Sequence, residues 1–323
     1  MDPFIAPALD RFVIRRVIRA LGERAHRPKE FPPAPPAFRE LFPADPPPPA
    51  ALAYINPPGR NNEREFAFPS PAPCGNSAND IARGRHYPFH GRARRASVVL
   101  LHGWLDPSYG YTGRLARHLA RAGHDVFLLQ LPWHMDRKVP GLRSGENALT
   151  ADLPRSLLTL RQAVADVRAL LGTILDRDGG RTGVIGVSFG GWMTALVACA
   201  ETRLAFAVMA IPALHPTRIV WEEPLGETLR RDLAAAGLDR NRTAPWLDGA
   251  DPARLAPRIA PERIGLILAR HDQFIPLAEG RRLVETWNVP HVVILPEGHI
   301  SFLFSRGLTA GVTGMMGTIL RRG

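Results

Sequence analysis

Apolar positions fall into two rhythms along the chain. From about residue 95, short unbroken apolar runs alternate with segments of helical period. Ser97 to Leu101, Asp125 to Leu131, Thr182 to Val187, Leu204 to Ile211, Ile264 to Ala269 and His291 to Leu295 each have the length and composition of a buried strand. Between them, Tyr111 to Ala122 predicts a helix stopped by Gly123. Asp152 to Asp176 predicts a long one with Leu160, Val164, Val167, Leu171 and Ile174 on one face. A third begins at Gly190, and a last one runs from about Leu308 to Leu320. Glu63 to Phe68 and Arg83 to Phe89 predict two opening strands. Strands alternating with helices imply a mostly parallel sheet covered on both faces.

Three segments break this rhythm. Residues 9 to 25 place Leu9, Phe12, Val13, Val17 and Leu21 near helical spacing, with Arg11, Arg15, Arg16 and Arg19 between them. That is a basic amphipathic helix, expected to pack on the domain or on a second subunit; peripheral membrane contact is the alternative. Phe31 to Pro49 is too rich in proline for regular helix or central strand and predicts an extended strap. The segment from Pro212 to about Pro261 is too long for an ordinary connection and carries its own apolar pieces, among them Trp221, Leu225, Leu229, Leu233 and Trp246. It predicts a helical lid, about residues 213 to 260. The expected organisation is therefore a helix and strap over residues 1 to 50, then a catalytic domain over 51 to 323 that contains the lid.

Composition changes this picture little. A formal net charge of +11 raises nucleic acid or an anionic surface as partners, but the charge is spread along the chain and is almost all arginine, with only Lys29 and Lys138 as lysines. No zinc-finger spacing or RNA-binding signature accompanies it, so no nucleic-acid partner is expected. No apolar run is long enough to span a bilayer, and the Met1-Asp2-Pro3 opening is unlike a secretory leader. Together with only two cysteines, Cys74 and Cys199, this gives a cytoplasmic expectation, with a Cys74–Cys199 disulfide left open. The sequence leaves the oligomeric state unknown.

The chemistry is carried by Gly186-Val187-Ser188-Phe189-Gly190-Gly191, which runs directly out of the third strand of the rhythm into a helix. A serine on such a sharp turn needs glycine on both sides, because larger side chains would collide with strand and helix. The turn lifts Oγ clear of the sheet. The helix behind it aims its positive end at developing negative charge.

Three further motifs follow strands in the order Ser, acid, His. Leu101-His102-Gly103-Trp104-Leu105 lies before the elbow; Arg270-His271-Asp272-Gln273 and Pro296-Glu297-Gly298-His299 lie after it. From about residue 95 to the end the chain resembles the α/β-hydrolase superfamily, most of all its bacterial serine esterases and lipase-like members. The resemblance implies an α/β-hydrolase fold with a catalytic triad of Ser188 as nucleophile, Asp272 as acid and His299 as general base, Glu297 being the runner-up acid. It implies an oxyanion hole from the backbone N–H groups of Trp104 (Leu105 a near alternative) and Phe189. Substrate-binding positions expected around it are His102, Gly103, Leu105, Trp133, His134 and Trp192. No metal and no organic cofactor is implied.

The activity expected from this resemblance is hydrolysis of a carboxylic ester of a small-molecule substrate through an acyl-enzyme, with a lipid-like acyl ester as one candidate. A peptidase, thioesterase or acyltransferase would use the same triad. A non-catalytic binding protein of the same fold is the alternative of another class.

Overall fold

The computed structural model describes residues 5–21, 34–59, 62–91 and 94–322. In chain order its elements are α1 (Ile5–Leu21), α2 (Phe38–Leu41), β1 (Ala53–Tyr54), β2 (Arg64–Pro69), β3 (Ile81–Tyr87), β4 (Ala96–Leu101), α3 (Gly110–Arg121), β5 (His124–Leu129), α4 (Leu153–Asp178), β6 (Thr182–Val187), α5 (Phe189–Ala200), β7 (Phe206–Ala210), α6 (Pro216–Trp221), α7 (Glu227–Ala235), α8 (Arg240–Asp248), β8 (Ile264–Ala269), α9 (Leu277–Trp287), β9 (His291–Leu295), α10 (His299–Phe304) and α11 (Arg306–Arg322). The strands form one sheet in the order β1-β2-β3-β5-β4-β6-β7-β8-β9. β1, β2 and β3 are antiparallel additions; from β5 to β9 every neighbouring pair is parallel.

The unbroken apolar runs are explained by burial on both faces. In β4, Val99 and Leu101 pack with α4 and α5, while Val98 and Leu100 pack with α3 and α11. The helix α5 is buried at every residue, which is why its sequence has no polar face. The long α4 starts where Asp152 accepts the Arg155 N–H at 3.2 Å, with Pro154 in its first turn, and stops at Gly179 in a left-handed conformation. Beside α4 the ion pair Arg137–Asp166, 2.9 Å long and fully buried, joins the loop after β5 to the helix, with Ser70 donating to the same carboxylate at 2.6 Å.

The structure departs from the pattern in three places. The proline-rich segment is not wholly extended: Phe38–Leu41 lie between its prolines and make one helical turn, with the Glu40 carboxylate accepting the Ala37 N–H at 3.1 Å. Beyond that turn the strap is held against α4, whose Arg168 donates to the carbonyls of Pro43 and Ala44. Expected residues 31–33 of the strap and 22–25 of the first helix lie outside the described residues. The first helix begins earlier than expected, at Ile5, and Phe12 does not share its buried face: Ala6, Asp10 and Ile14 are buried, while Phe12 is exposed beneath the Arg16 guanidinium.

Between β7 and β8 the chain forms α6, α7 and α8 over the carboxyl ends of the strands. Cys74 is exposed, Cys199 is buried, and both are free thiols, so the disulfide left open by the sequence is not formed. No helix among the described residues is long and apolar enough to cross a membrane.

Candidate active site

Parallel topology brings the loops after β4, β6, β8 and β9 to one edge of the sheet. The loop after β6 carries Ser188 at φ 54°, ψ −114°, a conformation sterically costly for any residue with a side chain. Its neighbours explain why the turn needs glycine. A Cβ on Gly186 would lie 2.0 Å from the Gly190 carbonyl oxygen, and one on Gly190 would lie 2.6 Å from the carbonyl oxygens of Leu101 and His102. Other non-glycine residues with positive φ gather at the same edge: Leu105, Trp133, Met135 and Ile211.

The three polar groups named from the sequence meet. Ser188 Oγ lies 2.9 Å from His299 Nε2, and His299 Nδ1 lies 2.7 Å from Asp272 Oδ2. The other carboxylate oxygen of Asp272 accepts the N–H groups of Phe274 and Ile275, both at 2.8 Å. The Asp272 carboxylate is thereby fixed, and His299 keeps its proton on Nδ1. Nε2 is left to accept the serine proton. Phe274 stacks on the imidazole at 4.6 Å between ring centres. Burial opposes protonation of His299, but the carboxylates of Asp272, Asp10 and Asp106 outweigh it and hold its pKa above the usual histidine value. Glu297, the runner-up acid, turns away and lies beside Gly307.

Phe189 opens α5, so its N–H has no partner within the helix. The Leu105 N–H is directed to His134 Nε2 at 3.3 Å, which favours Trp104 over Leu105 as the second donor near Ser188. The loop after β4 is braced from below. Its Gly103 N–H is shared between Asp106 Oδ2 and Tyr111 OH, each at 2.9 Å.

A model of the family described as "Alpha/beta hydrolase family" matches residues 98–310, about two thirds of the chain, and includes Ser188, Asp272 and His299. The chain belongs to the alpha/beta hydrolase family. Among solved structures, acetyl xylan esterase 1 from Thermoanaerobacterium sp. superposes with a TM-score of 0.65 at 17% identity, covering 94% of this chain and 98% of that one. A cold-adapted esterase from an Arctic intertidal metagenomic library superposes with a TM-score of 0.53 at 19% identity, covering 82% and 97%. At these identities the likeness is one of fold. An uncharacterized protein of Mycobacterium tuberculosis (strain H37Rv) is 28% identical over 191 residues, 57% of this chain; the match spans less than half of that relative's length, 44%.

In this hydrolase Gly103, Trp104, Leu105, Phe189 and Trp192 line the cavity above Ser188, but His102, Trp133 and His134 are not among its lining residues. The reason is hydrogen bonding. His102 is fully buried, its Nδ1–H donating to the Gly103 carbonyl at 2.8 Å and its Nε2 accepting from Leu131 N–H at 3.0 Å. His134 likewise donates from Nδ1 to the Pro132 carbonyl and accepts at Nε2 from Leu105. Burial keeps both neutral, His102 with a pKa lowered to about 4. Both rings are tied to main-chain groups and brace the loops after β4 and β5. Trp133 points its indole N–H at Thr159 Oγ1, 3.0 Å away. Among the described residues no group of three or more His, Cys, Asp and Glu side chains is arranged to hold a metal ion.

Two carboxylates at the site escape sequence reasoning. Asp106 lines the cavity, and burial raises its pKa to about 7 despite hydrogen bonds from Tyr111 and Gly103. Its position four residues after His102 is the only hint in the sequence. The second is Asp10 of α1, whose carboxylate accepts the N–H groups of His299 at 2.7 Å, Ile300 at 2.9 Å and Gln273 at 3.0 Å. An acid on the Ala6–Asp10–Ile14 stripe of a helix otherwise rich in arginine was the available signal.

The raised Asp106 pKa has a thermodynamic consequence. In the unfolded chain this carboxyl ionises near 3.9, so between about pH 4 and 7 the unfolded state releases a proton that the folded state keeps. Folding loses stability over that window as pH rises. Asp106→Asn stays neutral throughout, so its melting temperature relative to wild type is expected to climb from pH 4 to 7 and then level off. Thermal melts across pH 4 to 9 read this directly; a difference that is flat with pH excludes a raised Asp106.

Proposed function

We propose that the protein is a serine hydrolase acting on a carboxylic ester with an apolar acyl or alcohol group. The observation that carries this reading is the Ser188–His299–Asp272 relay opening into a predominantly apolar cavity. The cavity holds about 350 Å³, at the small end of the range for small-molecule sites. Leu153, Leu157 and Leu160 of α4 and Phe274 and Ile275 of the acid loop supply apolar walls. Ile219 and Val220 of α6, Leu229 of α7 and Trp246 of α8 roof it, which is the place of a lid.

In the proposed reaction His299 Nε2 takes the Ser188 proton as Oγ attacks the ester carbonyl. The oxyanion is received by the Trp104 and Phe189 N–H groups, each worth roughly 3 kcal/mol of transition-state stabilisation. The imidazolium gives its proton to the departing alkoxide, leaving an acyl-Ser188 ester. Water, deprotonated by the same nitrogen, then releases the acid. Because His299 must be neutral and its pKa is raised, kcat/KM falls on the acid side of a midpoint above about 6.5.

A series of p-nitrophenyl esters of graded acyl length tests the substrate class. The expected result is a kcat/KM that rises by at least tenfold from acetate to a medium chain, about 0.8 kcal/mol per buried methylene less the cost of ordering the chain. Highest activity on acetate, falling steadily with length, would exclude an apolar acyl pocket.

A further inference from the structure

The amphipathic helix α1 has no place in the chemistry just described, yet it packs directly against the elements that carry it. Its packing partners are α10, which starts with the catalytic His299, together with the insertion at Pro224–Gly226 and α7. Val13, Val17 and Leu21 of α1 form part of the cavity wall. Asp10 is fully buried at this junction. One of its oxygens receives the N–H groups of both His299 and Gln273, the residue after the acid Asp272, and the other receives that of Ile300.

The three bonds tie together loops that are 26 residues apart in sequence and must hold their relative position for the Asp272–His299 bond to stay near 2.7 Å. Burial pushes the Asp10 carboxyl above the usual carboxylate range, and the three amide donors offset part of that rise. The fit is tight from the opposite side as well. A Cβ on Gly298, beside His299 in the Gly-His motif, would lie 2.8 Å from Asp10 Oδ2 and 3.1 Å from the Ala6 carbonyl oxygen.

We propose that α1 completes the active site, and that Asp10 is a positioning residue that holds the acid and base loops in register for the Ser188 reaction. The inference rests on the hydrolase reading above. Asp10 acts in two ways. It fixes the backbone on which the imidazole rides, and it adds negative charge facing it. The ionisable groups that face His299 are Asp272 from the acid loop, Asp106 from the loop after β4 and Asp10 from α1. Asp272 and Asp10 also repel one another across the junction.

The test uses the full-length chain with Asp10→Asn, which keeps the shape but loses the charge and offers only one acceptor atom for three donors. Expected is a 10- to 100-fold drop in kcat, the scale of a misplaced catalytic group, with KM within about threefold because the apolar walls remain. The acid limb of the kcat/KM profile should move to lower pH, since one of the charges that raises His299 is gone. A residue that only packs α1 against the domain would lower the melting temperature and leave that limb in place. Folded Asp10→Asn with wild-type kcat and an unmoved limb overturns the proposal.

Gly298→Ala provides an independent variant should Asp10→Asn not fold. Its backbone conformation, φ −94°, suits alanine, so the added methyl acts by pressing on Asp10 and α1. It is expected to lower kcat at least tenfold, and wild-type kcat there overturns the proposal equally. Labelling of the wild-type chain by a fluorophosphonate separates the two levels. An unlabelled, inactive wild type removes the hydrolase reading and this role with it; a labelled wild type beside an unaffected Asp10→Asn removes the role of Asp10 alone.

Discussion

Ser188→Ala is expected to lower kcat by about 10⁴- to 10⁶-fold while leaving the fold in place, because the nucleophile is lost and only oxyanion and binding contributions remain. A fluorophosphonate that labels the intact wild-type chain should leave this variant unlabelled. The structural cost is small. Alanine keeps the Cβ that already stands at φ 54°, so the elbow is no more strained than before, and the bond lost is the 2.9 Å contact to His299. One hydrogen bond is worth about 1 kcal/mol, which for a chain of this size corresponds to a change of about 1.5 °C in melting temperature. Parallel melts and activity assays check both halves. Substantial residual hydrolysis by a folded Ser188→Ala would mean that another group attacks the ester.

Asp272→Asn should cost about 10⁴-fold in kcat, although it changes one atom and breaks no packing. The reason lies in the two backbone N–H groups of Phe274 and Ile275, which both point at Oδ1. An asparagine must place its carbonyl oxygen there, because its NH₂ would face two donors. The NH₂ then sits where Oδ2 was, 2.7 Å from His299 Nδ1, and donates to it. The imidazole is forced to carry its own proton on Nε2, facing Ser188, and loses the ability to accept one. The rate should therefore fall by the scale known for a wrong tautomer in a triad, with the melting temperature nearly unchanged. Nitrogen chemical shifts of His299 report the tautomer directly. A folded variant with an Nδ1–H imidazole and near-wild-type kcat would refute the role assigned to Asp272.

The parts of this site that the sequence displayed are those controlled by local backbone rules. Ser188 was legible because an elbow demands Gly186 and Gly190, and close approach of backbone leaves no substitute for them. Asp272 and His299 were legible because each closes a strand whose apolar run marks its end. His102 and His134, expected as substrate contacts, are not among the residues lining the cavity, for a physical reason. A histidine whose two nitrogens are both satisfied by main-chain groups looks the same in a sequence as one that faces a cavity, and only the register of neighbouring loops decides between them. Asp106 and Asp10 carried only faint local signals as site groups. Asp106 owes its altered ionisation to burial beside Tyr111, and Asp10 owes its role to partners in loops hundreds of residues away. The one-turn helix at Phe38–Leu41 shows the opposite error: proline density was averaged over a window that contained a proline-free gap just long enough for one turn.

The bond between Asp10 and His299 spans 289 positions. A ribosome adding about 5–20 residues per second needs roughly 15 s to a minute to cover that distance. Throughout that interval α1 exists without the surface it will cover, and its buried stripe of Ala6, Asp10 and Ile14 has no seat. The parallel strands β4 to β8 can assemble in order as they emerge, whereas closure by α1 waits for the last strand and helix. Hydrolytic competence in this chain is therefore a late event of biosynthesis. Fragments that end before α10 carry Ser188 and α1 but lack His299, which α1 packs against.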